Sequence, residues 1–202
     1  MPLTGPADPL PHRPLRVVVA GTSGAGKTTL AGRIAAVLTV PHVELDSLFH
    51  GPGWTPRPSF VEDVRAFTAG PAWVTEWQYR SVRSRLAERA DLMVWMDLPT
   101  PVVMRQVVRR SVARRMRRER LWNGNVEPPL RTVLTDPEHV IRWAWSTRHR
   151  TAQQVGTVLR EHPGLTVVRL GSHVEARHWL QGPLRRALRP PGSPGSGGPS
   201  RS

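Results

Sequence analysis

Gly21-Thr22-Ser23-Gly24-Ala25-Gly26-Lys27-Thr28 satisfies the pattern G-x-x-x-x-G-K-[ST] in full, and the residue types at those positions serve one kind of chemistry. Glycines let the backbone wrap an anion at close range. Successive N–H groups then form a nest, and a helix opening near Gly26 directs its positive end at the same anion. In such a loop Lys27 reaches the β- and γ-phosphates of a nucleotide and the Thr28 hydroxyl binds Mg2+, so ATP and Mg2+ are the expected cofactors. The expected nucleotide-contacting set is Gly21, Thr22, Ser23, Gly24, Ala25, Gly26, Lys27, Thr28 and Thr29. Composition singles out the lysine too: of 29 basic residues, 28 are Arg, and Lys27 is the one Lys. A compact ammonium on a thin stem enters a tight loop that a planar guanidinium cannot.

Other groups could act beside this loop. Asp46 follows a short apolar run, and open α/β sheets bind ligands at such strand ends. Its carboxylate can accept a hydrogen bond from an acceptor hydroxyl or orient it for in-line attack, or it can simply cap the turn Asp46 to Phe49. The stretch Phe49 to Phe60 presents Trp54 and Arg57 among Pro and Gly. Those two suit a planar or anionic substrate, or else belong to a packed connector with Trp54 buried. Residues 101–120 hold eight Arg against one acid, Glu119, and so carry half of the formal net charge of +14. Arg110, Arg114 and Arg118 share a helical face. Met104, Val108, Val112 and Met116 form an apolar stripe, with Val103 and Val107 beside it. Such a helix can fold over nucleotide phosphates as a lid, track a nucleic-acid backbone, or present a solvated face.

The elements that must position these groups alternate short apolar runs with longer helical patterns, the signature of parallel strands joined by crossover helices. Strands are expected at 15–20, 42–45, 72–75, 92–97 and 165–170. The first and fourth are continuously apolar, as befits strands covered on both faces. Helices are expected over Gly26–Leu38, Ser59–Thr68, Ser81–Glu88, from Thr100 (N-cap, with Pro101 following) towards Arg120, from Asp136–Pro137 towards Leu159, and over Val174–Leu180.

Four segments in this order resemble the P-loop nucleoside and nucleotide kinases of the adenylate kinase and shikimate kinase type: Gly21–Thr28, Glu44-Leu45-Asp46 with Gly51–Pro58, Glu76-Trp77-Gln78-Tyr79-Arg80, and Leu121–Asn125 after the Arg-rich helix. They look nearest to small bacterial adenylate-kinase-related proteins, some of them labelled DNA topology modulation proteins. The resemblance covers about 16–182. It implies a three-layer P-loop fold with five parallel strands in the order 2-3-1-4-5 and an Arg-rich lid at about 105–130. It also implies ATP-dependent, Mg2+-dependent phosphoryl transfer to a small nucleoside- or nucleotide-like acceptor. In the adenylate-kinase-like segment Glu76 is the metal-side acid, with Asp97 as its rival, and Arg80 is the substrate clamp, unless Arg80 is a surface ion-pair partner. Trp77 stands where those kinases have Gly, which narrows the acceptor site. Lys27, Asp46, Arg80, Arg110, Arg114 and Arg118 are the expected catalytic group; Asp46, Trp54, Arg57 and Arg80 the acceptor group; Thr28 and Glu76 the metal group.

Composition bounds the rest. The 202 residues suit one domain at 15–182, flanked by a Pro-rich segment 1–14 and a Pro/Gly/Ser-rich tail 183–202, both expected to lack structure. With no Cys, thiol catalysis and Cys-based zinc sites are excluded, and His139, His149 and His178 have no metal-like partners. The other Trp residues, Trp73, Trp95, Trp122, Trp143, Trp145 and Trp179, are expected in the core. With neither a secretory leader nor an apolar run of membrane-spanning length, the reading is a soluble cytoplasmic protein with no membrane partner. The rival function is a nucleotide-dependent regulatory ATPase that binds nucleic acid through its Arg-rich helix. A GTPase is disfavoured, because its guanine-reading Asn-Lys-x-Asp motif needs a second lysine.

Overall fold

The computed structural model describes residues 3–117 and 150–188, with side chains described outside 111–117. Among the described residues six strands build one sheet: β1 (Leu3–Thr4), β2 (Arg16–Gly21), β3 (His42–Val43), β4 (Trp73–Glu76), β5 (Leu92–Met96) and β6 (Thr166–Leu170). They lie in the order β1-β6-β5-β2-β4-β3, all parallel, with Val17 opposite both Val74 and Leu92 and Val94 opposite Val168. The helices are α1 (Lys27–Leu38), α2 (Leu45–Phe49), α3 (Phe60–Thr68), α4 (Arg83–Arg89), α5 (Thr100–Arg117), α6 (Arg150–Glu161) and α7 (His173–Trp179).

Strand pleating explains the layers. Val17 and Val19 point into one core with Ile34 and Leu38 of α1, Val103 and Val107 of α5 and Trp179 of α7. Val18 and Ala20 point into the other, with Val64 of α3, Leu86 of α4 and Val155 of α6. A central strand buried on both faces must be apolar at every position, which is why β2 reads as an unbroken run. The result is a three-layer α/β fold with β2 at its centre and the P-loop at its carboxyl end.

The five expected strands keep their order, and a sixth is added. Residues 1–14 are not without structure: Leu3 and Thr4 pair with Val167 and Val168, the Thr4 hydroxyl donates to the Val167 carbonyl at 3.0 Å, and Leu10 packs against the core. Five prolines hid a strand of two residues, short enough to fit between them. The domain also runs past 182. A π-helical turn, Leu180–Leu184, continues α7, with Leu184 fully buried and Leu188 packed on the same core, a four-residue spacing that Pro183 obscured.

Within α5 the buried face is Val103 and Val107, while Val108 is exposed, so the apolar stripe lies one position away from that expected. Trp73 and Trp179 are buried as expected, whereas Trp95 is half-buried beneath the Arg169 guanidinium, 5.4 Å from its ring. The turn Leu121–Asn125, the residues Trp122, Trp143, Trp145, His139 and His149, the start of the helix expected from 136, and 189–202 lie outside the described residues. No helix among the described residues is long and apolar enough to cross a membrane.

Candidate functional site

Residues 21–26 join β2 to α1 through left-handed turns at Gly24 (φ 85°) and Gly26 (φ 90°), conformations that disfavour any side chain. Gly24 has a second constraint: a Cβ there would stand 2.1 Å from Cγ2 of Val107, so α5 rests directly on the loop. Ala25 N–H donates to the Thr22 carbonyl at 3.0 Å, and the Lys27 ammonium reaches back to the same carbonyl at 3.3 Å. Burial lowers the Lys27 pKa to about 8. The charges of Asp46 and Glu76 work against that fall, and those of Arg110 and Arg83 add to it. Those four groups come from four elements, α2, β4, α4 and α5.

Glu76 ends β4 and is buried. It accepts from His42 Nε2 at 3.3 Å through one oxygen and from Leu45 N–H at 3.3 Å through the other. Burial opposes its ionisation, but the His42 hydrogen bond, its own backbone N–H, the His42 charge and the Thr28 hydroxyl outweigh burial, and its pKa lies below the ordinary value. Thr28 and Glu76 are therefore neighbours. Asp97, the rival acid, is bound by Arg169 Nε at 2.8 Å, with Arg169 lying over Trp95.

Asp46 lies in the first turn of α2 rather than at a strand end, because β3 stops at Val43. Its Oδ1 accepts two hydrogen bonds, from Gln78 Nε2 and from Tyr79 OH, both at 2.6 Å. Tyr79 takes the left-handed conformation (φ 60°), stacks on Phe49 at 4.2 Å between centroids, and meets His50 Nε2 at 3.2 Å. Burial and then the Asp46 charge push its phenol pKa far upward, so it remains a donor. Trp54 presents an edge to His50 at 5.0 Å, and Arg57 is engaged locally by Asp63 (3.2 Å) and Ser59 (3.3 Å), placing it on the α3 N-terminus.

The segment after β4 departs from expectation. Arg80 is exposed. Trp77 does not wall off the acceptor side: its ring is buried in the core, with Nε1 donating to the Arg83 carbonyl at 3.0 Å. In this segment the charge that weighs on Lys27 is that of Arg83, three residues further along. Arg110 of α5 acts on Lys27 as well; the Arg114 side chain and the whole of Arg118 lie outside what is described. Sequence reading missed Arg83, Gln78, Tyr79 and His42. Tyr79 alone carried a signal, as the one tyrosine in the chain.

On the other side of the loop a cavity of about 370 Å³ opens between α1, α5 and α7, lined by Gly26, Thr29, Arg33, Gln106, His173 and Arg177 among others. Gln106 hydrogen-bonds His173, whose pKa is lowered by burial and then by the charges of Arg177 and Arg33. Among the described residues no cluster of three His, Asp or Glu could hold a metal ion. The all-oxygen pair Thr28 and Glu76 does fit Mg2+, which keeps most of its waters and needs few protein ligands.

No family model and no curated protein matches the chain. Among solved structures it is similar to a gluconokinase from Sinorhizobium meliloti 1021 (20% identity, 87% of this chain and 95% of that one, TM-score 0.48). It is also similar to a shikimate kinase from Acinetobacter baumannii in complex with shikimate (15%, 83% and 89%, 0.48). A third is a sugar kinase from Janibacter sp. HTCC2649 (22%, 88% and 93%, 0.39). With TM-scores below 0.5, none of these bears on what this crevice binds.

Proposed function

We propose that the chain is an ATP-dependent, Mg2+-dependent phosphotransferase acting on a small hydroxylated acceptor. The observation that carries this reading is the geometry of the P-loop between β2 and α1, left-handed at Gly24 and Gly26 with the Lys27 ammonium folded back to the Thr22 carbonyl at 3.3 Å. The loop N–H groups and Lys27 hold the phosphates, and the cavity behind Gly26 and Thr29 takes the nucleoside. Thr28 and Glu76 would hold Mg2+, with Glu76 oriented by its bonds to His42 Nε2 and Leu45 N–H. The metal, when bound, neutralises charge on the transferring phosphoryl group.

Asp46 receives the acceptor hydroxyl. Tyr79 and Gln78 both bind its Oδ1, which fixes the carboxylate plane and leaves Oδ2 for that hydroxyl. Arg110 neutralises phosphate charge from the α5 side, with Arg114 and Arg118, at four-residue spacing, assigned to the same role from the sequence. Catalysis is then mainly positioning and charge neutralisation. The kinship to bacterial adenylate-kinase-related proteins is part of this proposal.

The test is ATP turnover by the purified protein with Mg2+ against nucleosides, nucleoside monophosphates and small hydroxy acids. Acceptor-stimulated ADP release, abolished in Lys27→Ala with the fold intact, is expected. Full activity in Lys27→Ala, or hydrolysis stimulated by nucleic acid alone, sinks the assignment.

A further inference from the structure

Arg83 opens α4 with half-buried side-chain atoms and no acid to explain its burial. Its Nε is shielded from solvent and has no hydrogen-bond partner, and among the described residues it makes no ion pair. Its guanidinium lies 5.1 Å from the centre of the Trp77 ring. The ring offers the guanidinium a cation–π contact but gives the shielded Nε–H no acceptor.

The indole beneath it is fixed at both ends. Trp77 N–H donates to the Val19 carbonyl at 2.8 Å, two residues before the P-loop begins, and Trp77 Nε1 donates to the Arg83 carbonyl. Arg83 is thereby tied through Trp77 to β2 two residues before the P-loop, and its charge, after that of Arg110, lowers the Lys27 pKa. Two cations near one loop repel each other, and an anion with several oxygens between them turns that repulsion into attraction. Arg80, on the same segment, is exposed.

We propose that Arg83, resting on Trp77, is the second cation for the terminal phosphoryl group of the bound nucleotide, facing Lys27 across it. The assignment rests on the reading that the P-loop holds a nucleoside triphosphate. It makes Arg83 a ligand of the γ-phosphoryl oxygens and not of the α- or β-phosphate. A guanidinium fork suits this task, since it can meet two phosphoryl oxygens at once.

Binding separates this role from a structural one, without any acceptor. Equilibrium affinities for MgATP and MgADP are measured on the full chain in wild type, Arg83→Gln, Arg83→Met and Arg83→Lys, with thermal unfolding to establish the fold. Loss of a charge-assisted contact predicts ATP binding weaker by about 10- to 100-fold in the Gln and Met variants. ADP binding should change by less than about 3-fold, and Arg83→Lys should keep part of the preference for ATP. Arg83→Met retains an apolar stem over Trp77 and serves if Arg83→Gln does not fold. A folded variant whose ATP and ADP affinities fall equally, or not at all, overturns the proposal while leaving the nucleotide reading intact. A wild-type chain that binds neither nucleotide overturns both.

Discussion

Gly24→Ala tests whether α5 and the P-loop form one mechanical unit. Two costs follow from the geometry. The left-handed φ of 85° costs an L-residue about 1–2 kcal/mol. The new Cβ would also lie 2.1 Å from Val107 Cγ2, a separation no pair of carbons adopts, so loop or helix must move, at about 1–3 kcal/mol for an overpacked core. Together they predict a loss of about 2–5 kcal/mol, and at roughly 2–4 °C per kcal/mol for a domain of this size a fall in melting temperature of about 4–20 °C.

Val107→Ala supplies the control. It removes the offending methyl and one more, costing about 1.6 kcal/mol by itself at roughly 0.8 kcal/mol per buried carbon. In the double variant the steric cost vanishes and only the backbone cost remains. Urea unfolding of the four proteins should therefore show the double variant more stable than the sum of the singles by about 1–3 kcal/mol. Strict additivity, or a Gly24→Ala protein as stable as wild type, would refute the claim that Val107 sits on the loop. The same cycle read by ATP affinity should show Val107→Ala restoring part of the binding that Gly24→Ala loses.

Two predictions concern the carboxylates. Asp46→Asn keeps the shape but removes the acceptor for the substrate proton, so acceptor-dependent turnover should fall by about 100-fold or more while ATP affinity stays within a few-fold. Comparable loss of both would place Asp46 on the nucleotide instead. The His42–Glu76 pair predicts a pH signature. His42 is raised above 6.5, first by its hydrogen bond to Glu76, so its contribution is full below about that pH and is lost as pH rises through the raised value. Glu76 is lowered below 4.5, so its contribution is full above about that pH and is lost as pH falls through the lowered value. The stability gap between wild type and His42→Gln, about 1–3 kcal/mol, should then be widest between about pH 4.5 and 6.5 and shrink on the alkaline side. A gap that does not vary from pH 5 to 9 would show that the pair holds no charge.

The sequence made the P-loop legible because its function is carried by backbone and fixed spacing, which survive in a one-dimensional string. β2 and β5 were legible for a related reason: burial on both faces forces every side chain to be apolar. What surrounds the loop is set by tertiary placement. Arg80 is exposed and Arg83 lies over Trp77 because Trp77 turns into the core, and spacing counted from Glu76 cannot report that turn. Likewise Asp46 was found as an acid near a strand end, but its partners Gln78 and Tyr79 reach it from the loop after β4, 32 and 33 residues away in the chain. The α5 stripe was displaced by one position because an Arg-rich helix offers apolar residues at several phases, and contact with Gly24 decides among them.

Among the described residues both edge strands of the sheet are two residues long, β1 at Leu3–Thr4 and β3 at His42–Val43. A strand that short offers another chain almost no ladder to extend, so the sheet is guarded against edge-to-edge aggregation without charged gatekeepers or bulges. The guard on one side is slight and local. Trimming the first five residues would bare the five-residue edge of β6, whose side chains are buried at every position except Arg169. A tag or deletion placed there would therefore be felt first as self-association and only afterwards as lost activity.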